Sequence, residues 1–417
     1  MEANYLPIYL FPIKLSEFEP DNKNILIFNT INQFLVEVTN DEFSSIQNYY
    51  TGSQKYNVEF IRELLDTELL DSEIKIKNKV NSRIIIIPTM SCNKSCSYCY
   101  HAKNINKTIS ITNIPILFEY VKDFISSKNH IEKVSVIWHG GEPLVSFNVL
   151  KKISHSLSEY FQKENIIYEE SLLTNGILLT KNYCNEIIIH TSINEFQISI
   201  DNNTSPNQLE RIINYSQHLL HETNYMRIFI KYNLIESNFD LVYPIIDKLK
   251  KVSSEGRLFF RLGYLESHGD LETAKNIGYE EFIDKHWKLS DFLRENKIGW
   301  EPELPEKIFS ACSANDVNSI TIGPELNTYR CNVNVPFDKW KIYDIKNKKY
   351  YNNADAEKEY IQYSPFTDEK CSRCHIVHNC MGGCHVKRIY KQRTEDFCKG
   401  TIKRLQWQIY EYYKYNN

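Results

Sequence analysis

The chain has 417 residues, enough for two or three domains, because single hydrophobic cores stop growing at roughly 250 to 300 residues. Apolar residues make up 42% and charged residues 24%, the proportions of an ordinary globular protein, and no apolar run approaches the roughly 20 residues of a membrane-spanning helix. With 49 basic and 53 acidic residues interspersed and a formal net charge of -4, the chain shows no electrostatic footprint for nucleic acid.

The N-terminal stretch MEANYLPIYLFPIKL lacks the basic, apolar, small order of a secretory signal, so a cytoplasmic protein with no membrane partner is expected. Residues 24–72 open with two short apolar stretches, ILIFNT and QFLVEV. Two segments with helical spacing follow, over 41–50 and 58–70. Thr39-Asn40 stands where an N-cap is wanted, and Gly52 lies where a chain reversal is cheap. The two-strand, two-helix order predicts a winged-helix-like module over residues 1–75.

From residue 81 onward, the β-rich runs RIIIIP, VSVIWH, SLLTNG, FQISID, MRIFIKYNL and RLFFRLGYLE alternate with longer amphipathic stretches. Nearly continuous Val/Ile/Leu runs separated by helices point to parallel strands covered on both faces. The fold class expected is α/β, an open (β/α)6 partial barrel over residues 81–297. Catalytic groups in such folds collect at the C-terminal ends of the strands. From residue 300 to 417 the alternation stops, cysteines become dense, and the chain closes on an aromatic, helical tail. A loop-rich segment of this kind is expected to use metal as its staple.

Eleven cysteines in a chain without an export signal favour metal binding or redox chemistry over disulfides. Directly after the first barrel strand, Cys92, Cys96 and Cys99 fall within eight residues on one loop. Three thiolates can hold three irons of a 4Fe-4S cube and leave the fourth open to a small molecule. Zinc is the rival, with His101 available as its fourth ligand. The CxxxCxφC spacing, with Tyr98 as the aromatic, resembles the radical S-adenosylmethionine (SAM) superfamily. That resemblance implies that the open iron chelates SAM, whose reductive cleavage yields a 5'-deoxyadenosyl radical able to abstract hydrogen from substrate.

Shorter motifs fit the same resemblance. Gly140-Gly141-Glu142-Pro143 after the second strand is similar to the GGEP element that meets the SAM amino group, where an acidic residue can accept from an ammonium. Thr174-Asn175-Gly176 ends the third run and resembles the TNG element. Ser199 and Asp201 at the fourth resemble the SIDG element, with Asn202 in place of its glycine. Arg211 matches an arginine common in these enzymes and is a candidate partner for the SAM carboxylate.

The C-terminal cysteines are Cys312, Cys331, Cys371, Cys374, Cys380, Cys384 and Cys398, and the run from Cys371 reads C-x2-C-x5-C-x3-C. This spacing is similar to the SPASM domain, the auxiliary-cluster module of radical SAM enzymes that modify peptides and proteins. The resemblance implies one 4Fe-4S cluster on Cys371, Cys374, Cys380 and Cys398. A second falls to Cys312, Cys331 and Cys384 and is one ligand short. Cys184, in KNYCNEIIIH, is left over and is expected to be a core thiol. Leu326 stands where SPASM domains have glycine, and Asn332 where the sulfatase-maturing branch has an aspartate base. An amide cannot take that proton.

The long segment before Cys92 resembles the recognition element fused to maturases of ribosomally made peptides, in which a leader peptide adds as a strand to a sheet edge. The expected function is therefore a peptide maturase that oxidatively forms thioether, ether or carbon-carbon cross-links in a leader-bearing precursor. It would use SAM, three 4Fe-4S clusters and an electron donor such as flavodoxin or ferredoxin. The rivals are a sulfatase-maturase-like side-chain oxidase, a peptide epimerase, and outside enzymes an iron-sulfur electron carrier.

Overall fold

The structure, a computed structural model, describes residues 6–67, 69–70, 80–101, 106–234, 238–252, 256–265, 277–299, 302–352, 354–391 and 394–417. Residues 1–5 and 71–75 of the first segment, residue 68 of its second helix, Glu266 at the end of the sixth run and residue 300 at the opening of the third segment lie outside the described residues.

The N-terminal segment folds as β1 (Leu10–Lys14), β2 (Ile25–Asn29) and β3 (Leu35–Val38), antiparallel in that order, followed by α1 (Asn40–Tyr50) and α2 (Val58–Asp66). Both expected helices form, although the second ends at Asp66 rather than at residue 70. Thr39 caps α1 through a capping box: its hydroxyl accepts from the Glu42 N–H, and the Glu42 carboxylate accepts from the Thr39 N–H at 2.7 Å. The sheet has three strands rather than the expected two. β1 carries Pro12 in LFPIK, which reads as a break in a strand, yet at the edge of a sheet the missing N–H costs no ladder bond. Because β2 is buried on both faces, the sheet is a middle layer. Ile25, Ile27 and Val38 pack on Ile46, Ile61 and Leu64 of the module's own helices. Phe11, Ile13, Leu26 and Phe28 pack the other way, on Ile376 and on Leu405, Ile409 and Tyr410 near the C-terminus.

The second segment alternates strand and helix: β4 (Val80–Ile86), α3 (Ile114–Ser126), β5 (Ile131–Trp138), α4 (Phe147–Lys163), β6 (Ile167–Thr174), α5 (Lys181–His190), β7 (Ile193–Ile200), α6 (Pro206–Glu222), β8 (Arg227–Leu234), α7 (Val242–Leu249), β9 (Leu258–Tyr264) and α8 (Tyr279–Glu295). Strands β4 to β9 lie side by side in sequence order and every neighbouring pair is parallel. This is the expected partial barrel. Its main core lies between strands and helices, with Val134, Val136, Trp138, Leu172, Phe196 and Ile198 facing Leu117, Leu150, Leu157 and Ile212. Buried Glu170 is held in that layer by Trp138 Nε1, the Ser154 hydroxyl and the Tyr168 hydroxyl, which all donate to its carboxylate. Cys184 is fully buried in the same core.

The third segment is less separate than its composition suggests. β10 (Ile320–Ile322) pairs in parallel with β4, and β11 (Thr328–Tyr329) pairs antiparallel with β10, extending the barrel sheet to eight strands. Tyr329 and Val335 fill the inner face beside Ile85, Ile87 and Met90. A short hairpin, β12 (Tyr343–Asp344) and β13 (Lys349–Tyr350), precedes α9 (Ala354–Ile361), α10 (Val377–Cys380), α11 (His385–Ile389) and α12 (Glu395–Asn416).

The turn between β10 and β11 resolves one departure noted above. Leu326 takes the left-handed conformation, φ 61°, that a glycine would take freely, and its side chain is fully buried. The backbone strain of about 1 to 3 kcal/mol is offset by burial of the leucine. Asn202, by contrast, is not among the positive-φ residues, so its turn does without the left-handed step. Leu326→Gly is expected to lower stability by about 2 kcal/mol, because relief of strain falls short of the roughly 2 to 5 kcal/mol lost with a buried leucine. Chemical denaturation checks this; an unchanged or raised stability would show that strain outweighs packing at this turn.

Candidate active site

The geometry of the site starts from the β4–β5 pair. Beyond the regular strands the ladder continues, with the His139 N–H donating to the Ile86 carbonyl at 3.1 Å, Gly141 N–H to Thr89 at 3.0 Å and Glu142 N–H to Ser91 at 2.9 Å. The zipping stops one residue before Cys92. A Cβ on Gly140, whose φ is 136°, would stand 2.4 Å from the Thr89 carbonyl oxygen; one on Gly141 would stand 2.3 Å from that of Ser91. Only glycine fits between these chains. The cysteine loop and the Gly-Gly turn are thereby pressed together at the C-terminal edge of the sheet.

The rest of the loop is tied to the next two strand ends. Asn175, after β6, donates its side-chain amide to Asn93 Oδ1 at 2.7 Å and lies 3.9 Å from the Cys92 sulfur. Asp201, after β7, accepts from the Tyr98 hydroxyl and pairs with Lys94 Nζ at 3.4 Å. Its other oxygen accepts from the Asn203 N–H. Tyr98 and Asp201 therefore join to each other and anchor the loop. Glu142 is wholly buried and turned toward the protein: it accepts from Leu144 N–H, from the Thr174 hydroxyl at 2.8 Å and from Asn175 N–H at 2.8 Å. Burial raises its pKa, while these donors counter the rise, with Asn175 contributing most.

Between these elements lies a cavity of about 370 Å³ lined by all three thiols, Tyr98, Gly140, Gly141, Thr174, Asn175 and Ser199. The same walls hold His101, which the sequence offered only as a zinc ligand, and residues the sequence reading missed: Tyr100, His139, Gln197, Lys231 and Asn233. For Gln197, Lys231 and Asn233 the signal was the inward phase of β7 and β8, where they and Ser199 alternate with core residues. Glu142, Asp201 and Arg211 do not line it. Arg211 is exposed on α6, its guanidinium 3.5 Å from the Leu179 carbonyl. A larger cavity of about 450 Å³ between β9, α8 and α12 contains no thiol in its lining.

Both histidines beside the loop are held neutral. Burial pushes His139 down to about 3, aided by His101 and Lys231, and His101 down to about 4. His101 Nδ1 lies 2.8 Å from the Gly140 carbonyl and so donates to it, which turns the ring toward the second strand. Cys92 is pushed up by burial and, after that, by the charges of Glu142, Cys99 and Cys96, so the thiols sense one another. A metal centre would reverse this rise by binding the thiolate. Among the described residues no group of three Cys, His, Asp or Glu side chains is arranged to hold a metal ion. A cube of four irons spreads its ligands more widely than one ion does, and three thiols around one cavity, with glycine backbone opposite, suit it.

The C-terminal cysteines lie in two regions of the third segment. Burial pushes the Cys331 thiol up and Cys384 and Cys312 add to the rise, which places each of those two within electrostatic reach of Cys331. Cys371, Cys374 and Cys380 lie along one compact run of turns, in which the Cys374 N–H donates to the Cys371 carbonyl and the Gly383 N–H to that of Cys380. Cys398 enters on the first turn of α12, next to Phe397, whose ring lies over Gly383 near the Cys380 sulfur. Asn332 donates its amide to the Tyr100 hydroxyl at 2.8 Å, and that hydroxyl lies 3.1 Å from His139 Nε2. This chain links the second cysteine region to the barrel cavity.

No protein-family model matches the chain. In sequence it is similar to the cysteine-type anaerobic sulfatase-maturating enzyme of Clostridium perfringens, 22% identical over 344 residues that cover 75% of this chain and 91% of that one. A serine-type anaerobic sulfatase-maturating enzyme of Klebsiella pneumoniae is 24% identical over 95 residues, 22% of this chain and 24% of that one. Among solved structures, anSMEcpe with bound AdoMet matches with a TM-score of 0.58 at 16% identity, over 81% of this chain and 94% of that one. Streptococcus suis SuiB bound to S-adenosylmethionine matches with a TM-score of 0.56 at 14% identity, over 89% of this chain and 95% of that one. SuiB bound to its precursor peptide SuiA matches with a TM-score of 0.56 at 12% identity, over 89% of this chain and 94% of that one. The chain shares the fold of these AdoMet-bound proteins and is a sequence relative of a sulfatase-maturating enzyme.

Gly141→Ala is expected to force the 89–91 backbone away from the turn and to lower iron incorporation at the neighbouring loop severalfold, with the fold retained. Iron content and far-UV circular dichroism of the reconstituted protein check it. Full iron content would mean that the close approach is not needed to set the loop.

Proposed function

We propose that this chain is a radical SAM peptide maturase that oxidatively cross-links a leader-bearing precursor peptide. The observation that carries the reading is the single cavity shared by Cys92, Cys96, Cys99, the Gly140-Gly141 turn, Asn175 and Ser199 at the C-terminal ends of parallel strands. When bound, a 4Fe-4S cluster on the three thiols with SAM would supply the 5'-deoxyadenosyl radical that abstracts hydrogen from the peptide.

The protein's own residues would do the positioning. Cys92, Cys96 and Cys99 hold three irons, and the two glycines let the amino-acid end of SAM approach the backbone. Asn175 and the Tyr98–Asp201 pair keep the loop in place. Lys231, which lines the cavity, is a better placed cation for the SAM carboxylate than the exposed Arg211. Glu142 acts behind the wall, tying the second and third strand ends together.

Residues 81–297 would form the radical domain and residues 300–417 the auxiliary-cluster domain. One auxiliary 4Fe-4S cluster would sit on Cys371, Cys374, Cys380 and Cys398, and the other on Cys312, Cys331 and Cys384. Residues 1–75 would recognise the leader. In support, β3 stands at the edge of its sheet, where an extended peptide can add as a further strand. An electron donor of the flavodoxin or ferredoxin kind would reduce the first cluster.

A second reading, oxidation of a single protein side chain, is favoured by the sequence similarity across 91% of the Clostridium enzyme. Asn332 speaks against it, because its amide is a hydrogen-bond donor to Tyr100 and offers no base.

Anaerobic reconstitution is expected to give about twelve irons per chain, falling by about four in the Cys92→Ala/Cys96→Ala/Cys99→Ala variant. The reduced wild type should cleave SAM to 5'-deoxyadenosine and the variant should not; no cleavage by the loaded wild type sinks the proposal. Mass spectrometry after co-expression with a neighbouring short peptide gene should show loss of two hydrogens per cross-link. An unchanged mass with an inverted stereocentre would favour an epimerase instead.

A further inference from the structure

His385 follows Cys384 directly, and its side chain is buried. It is 1% exposed, and neither Nδ1 nor Nε2 makes a hydrogen bond of good geometry, the Gly383 backbone offering only a loose contact. A neutral imidazole always carries one N–H donor and one lone-pair acceptor. Leaving a buried polar atom unmatched costs about 1 to 3 kcal/mol, so an orphaned ring at the centre of a compact segment points to a group that the protein atoms do not supply.

The surroundings of the ring say where that group lies. Cys384 is the N-cap of α11 and His385 its first residue. Cys384 lies within electrostatic reach of Cys331, and the His385 ring sits between two tyrosines. On one side the imidazole meets the edge of the Tyr363 ring at 5.1 Å between centroids, and the Tyr363 hydroxyl lies 3.8 Å from the Cys371 sulfur. On the flank, Tyr360 stacks against the imidazole at 6.2 Å and stands within electrostatic reach of Cys331 and Cys384. The approach of Tyr363 depends on Gly382, where a Cβ would stand 2.6 Å from its hydroxyl oxygen. His385 therefore occupies the partition between the three-thiol group and the four-thiol group.

Building on the auxiliary-cluster reading above, we propose that His385 is the hydrogen-bond donor to the sulfur of the cluster on Cys371, Cys374, Cys380 and Cys398, setting its reduction potential from the partition between the two auxiliary centres. An N–H directed at a cluster sulfur stabilises the reduced, more negative state, so the donor raises the potential. The adjacent cluster then faces a centre that accepts an electron more readily. His385 is a positioning and tuning residue rather than a catalytic one.

The test is an anaerobic redox titration of the fully loaded protein followed by electron paramagnetic resonance. In His385→Leu the potential of one auxiliary signal is expected to move to more negative values while the SAM-cluster signal stays put. His385→Gln, which keeps an N–H donor, should restore most of the shift. Pulsed measurements on wild type carrying ¹⁵N-histidine should show weak nitrogen coupling to an auxiliary signal, independent of how the variants fold. Unchanged potentials together with no nitrogen coupling overturn the proposal. A strong coupling on the three-thiol centre, of the size of a directly bound nitrogen, also overturns it and makes His385 an iron ligand. Absence of auxiliary signals in the loaded wild type defeats the cluster reading itself and is recognised separately by the iron count.

Discussion

The site depends on how closely two backbones approach each other. The β4–β5 ladder runs past the ends of its strands and brings the 89–91 backbone within 2.4 Å of where side chains on Gly140 and Gly141 would begin. Two residues without Cβ atoms are the condition for that contact. Everything downstream inherits it: the loop bearing Cys92, Cys96 and Cys99 starts at the point where the ladder ends, so its direction is fixed before any side chain of the loop makes a bond. Asn175 and Asp201 then hold it from the neighbouring strand ends. The buried carboxylates serve the scaffold. Glu142 spends its acceptor capacity on the third strand end and Asp201 on the loop, so neither is left facing the cavity.

The C-terminal segment and the N-terminal module complete this arrangement from outside. β10 lies beside β4, so the auxiliary region shares a hydrogen-bonded sheet with the strand that carries the first cysteine loop. Tyr100, Asn332 and His139 connect the two regions by side-chain hydrogen bonds. The N-terminal sheet uses its second face against α12 and Ile376, between Cys374 and Cys380, and Thr30 meets His378 at 3.2 Å in the same place. A module proposed to bind a leader is thus in direct contact with the loop that holds the second cysteine group. Packing of this kind makes relative motion of the segments costly.

Much of this was legible in the sequence. The six β-rich runs became six parallel strands in order, and the helical spacing of residues 41–50 and 58–70 became α1 and a shorter α2 that ends at Asp66. Cys184 is the core thiol its place in an amphipathic helix suggested. β1 was not legible, because Pro12 removes a strand signal and only its position at an edge makes it harmless. Nor was the fate of the turn at Leu326: substitution of a glycine usually signals a changed conformation, yet the left-handed turn is kept and the leucine is buried instead.

The sequence by itself determined the periodicities, hence the elements and the face each would bury, and it determined the spacing of the thiols and the two glycines. These are local properties, set within a few residues by backbone geometry. Tertiary structure alone decided which partners those faces and polar groups met. It joined β10 to the barrel, turned Glu142 and Asp201 into ties, kept Arg211 at the surface while Lys231 lined the cavity, and enclosed His385 without a hydrogen bond of good geometry. A side chain's spacing along the chain says where it can point. Whether a hydrogen-bond donor, a thiol or another backbone waits there depends on residues tens to hundreds of positions away, brought close only by the packing of the whole chain.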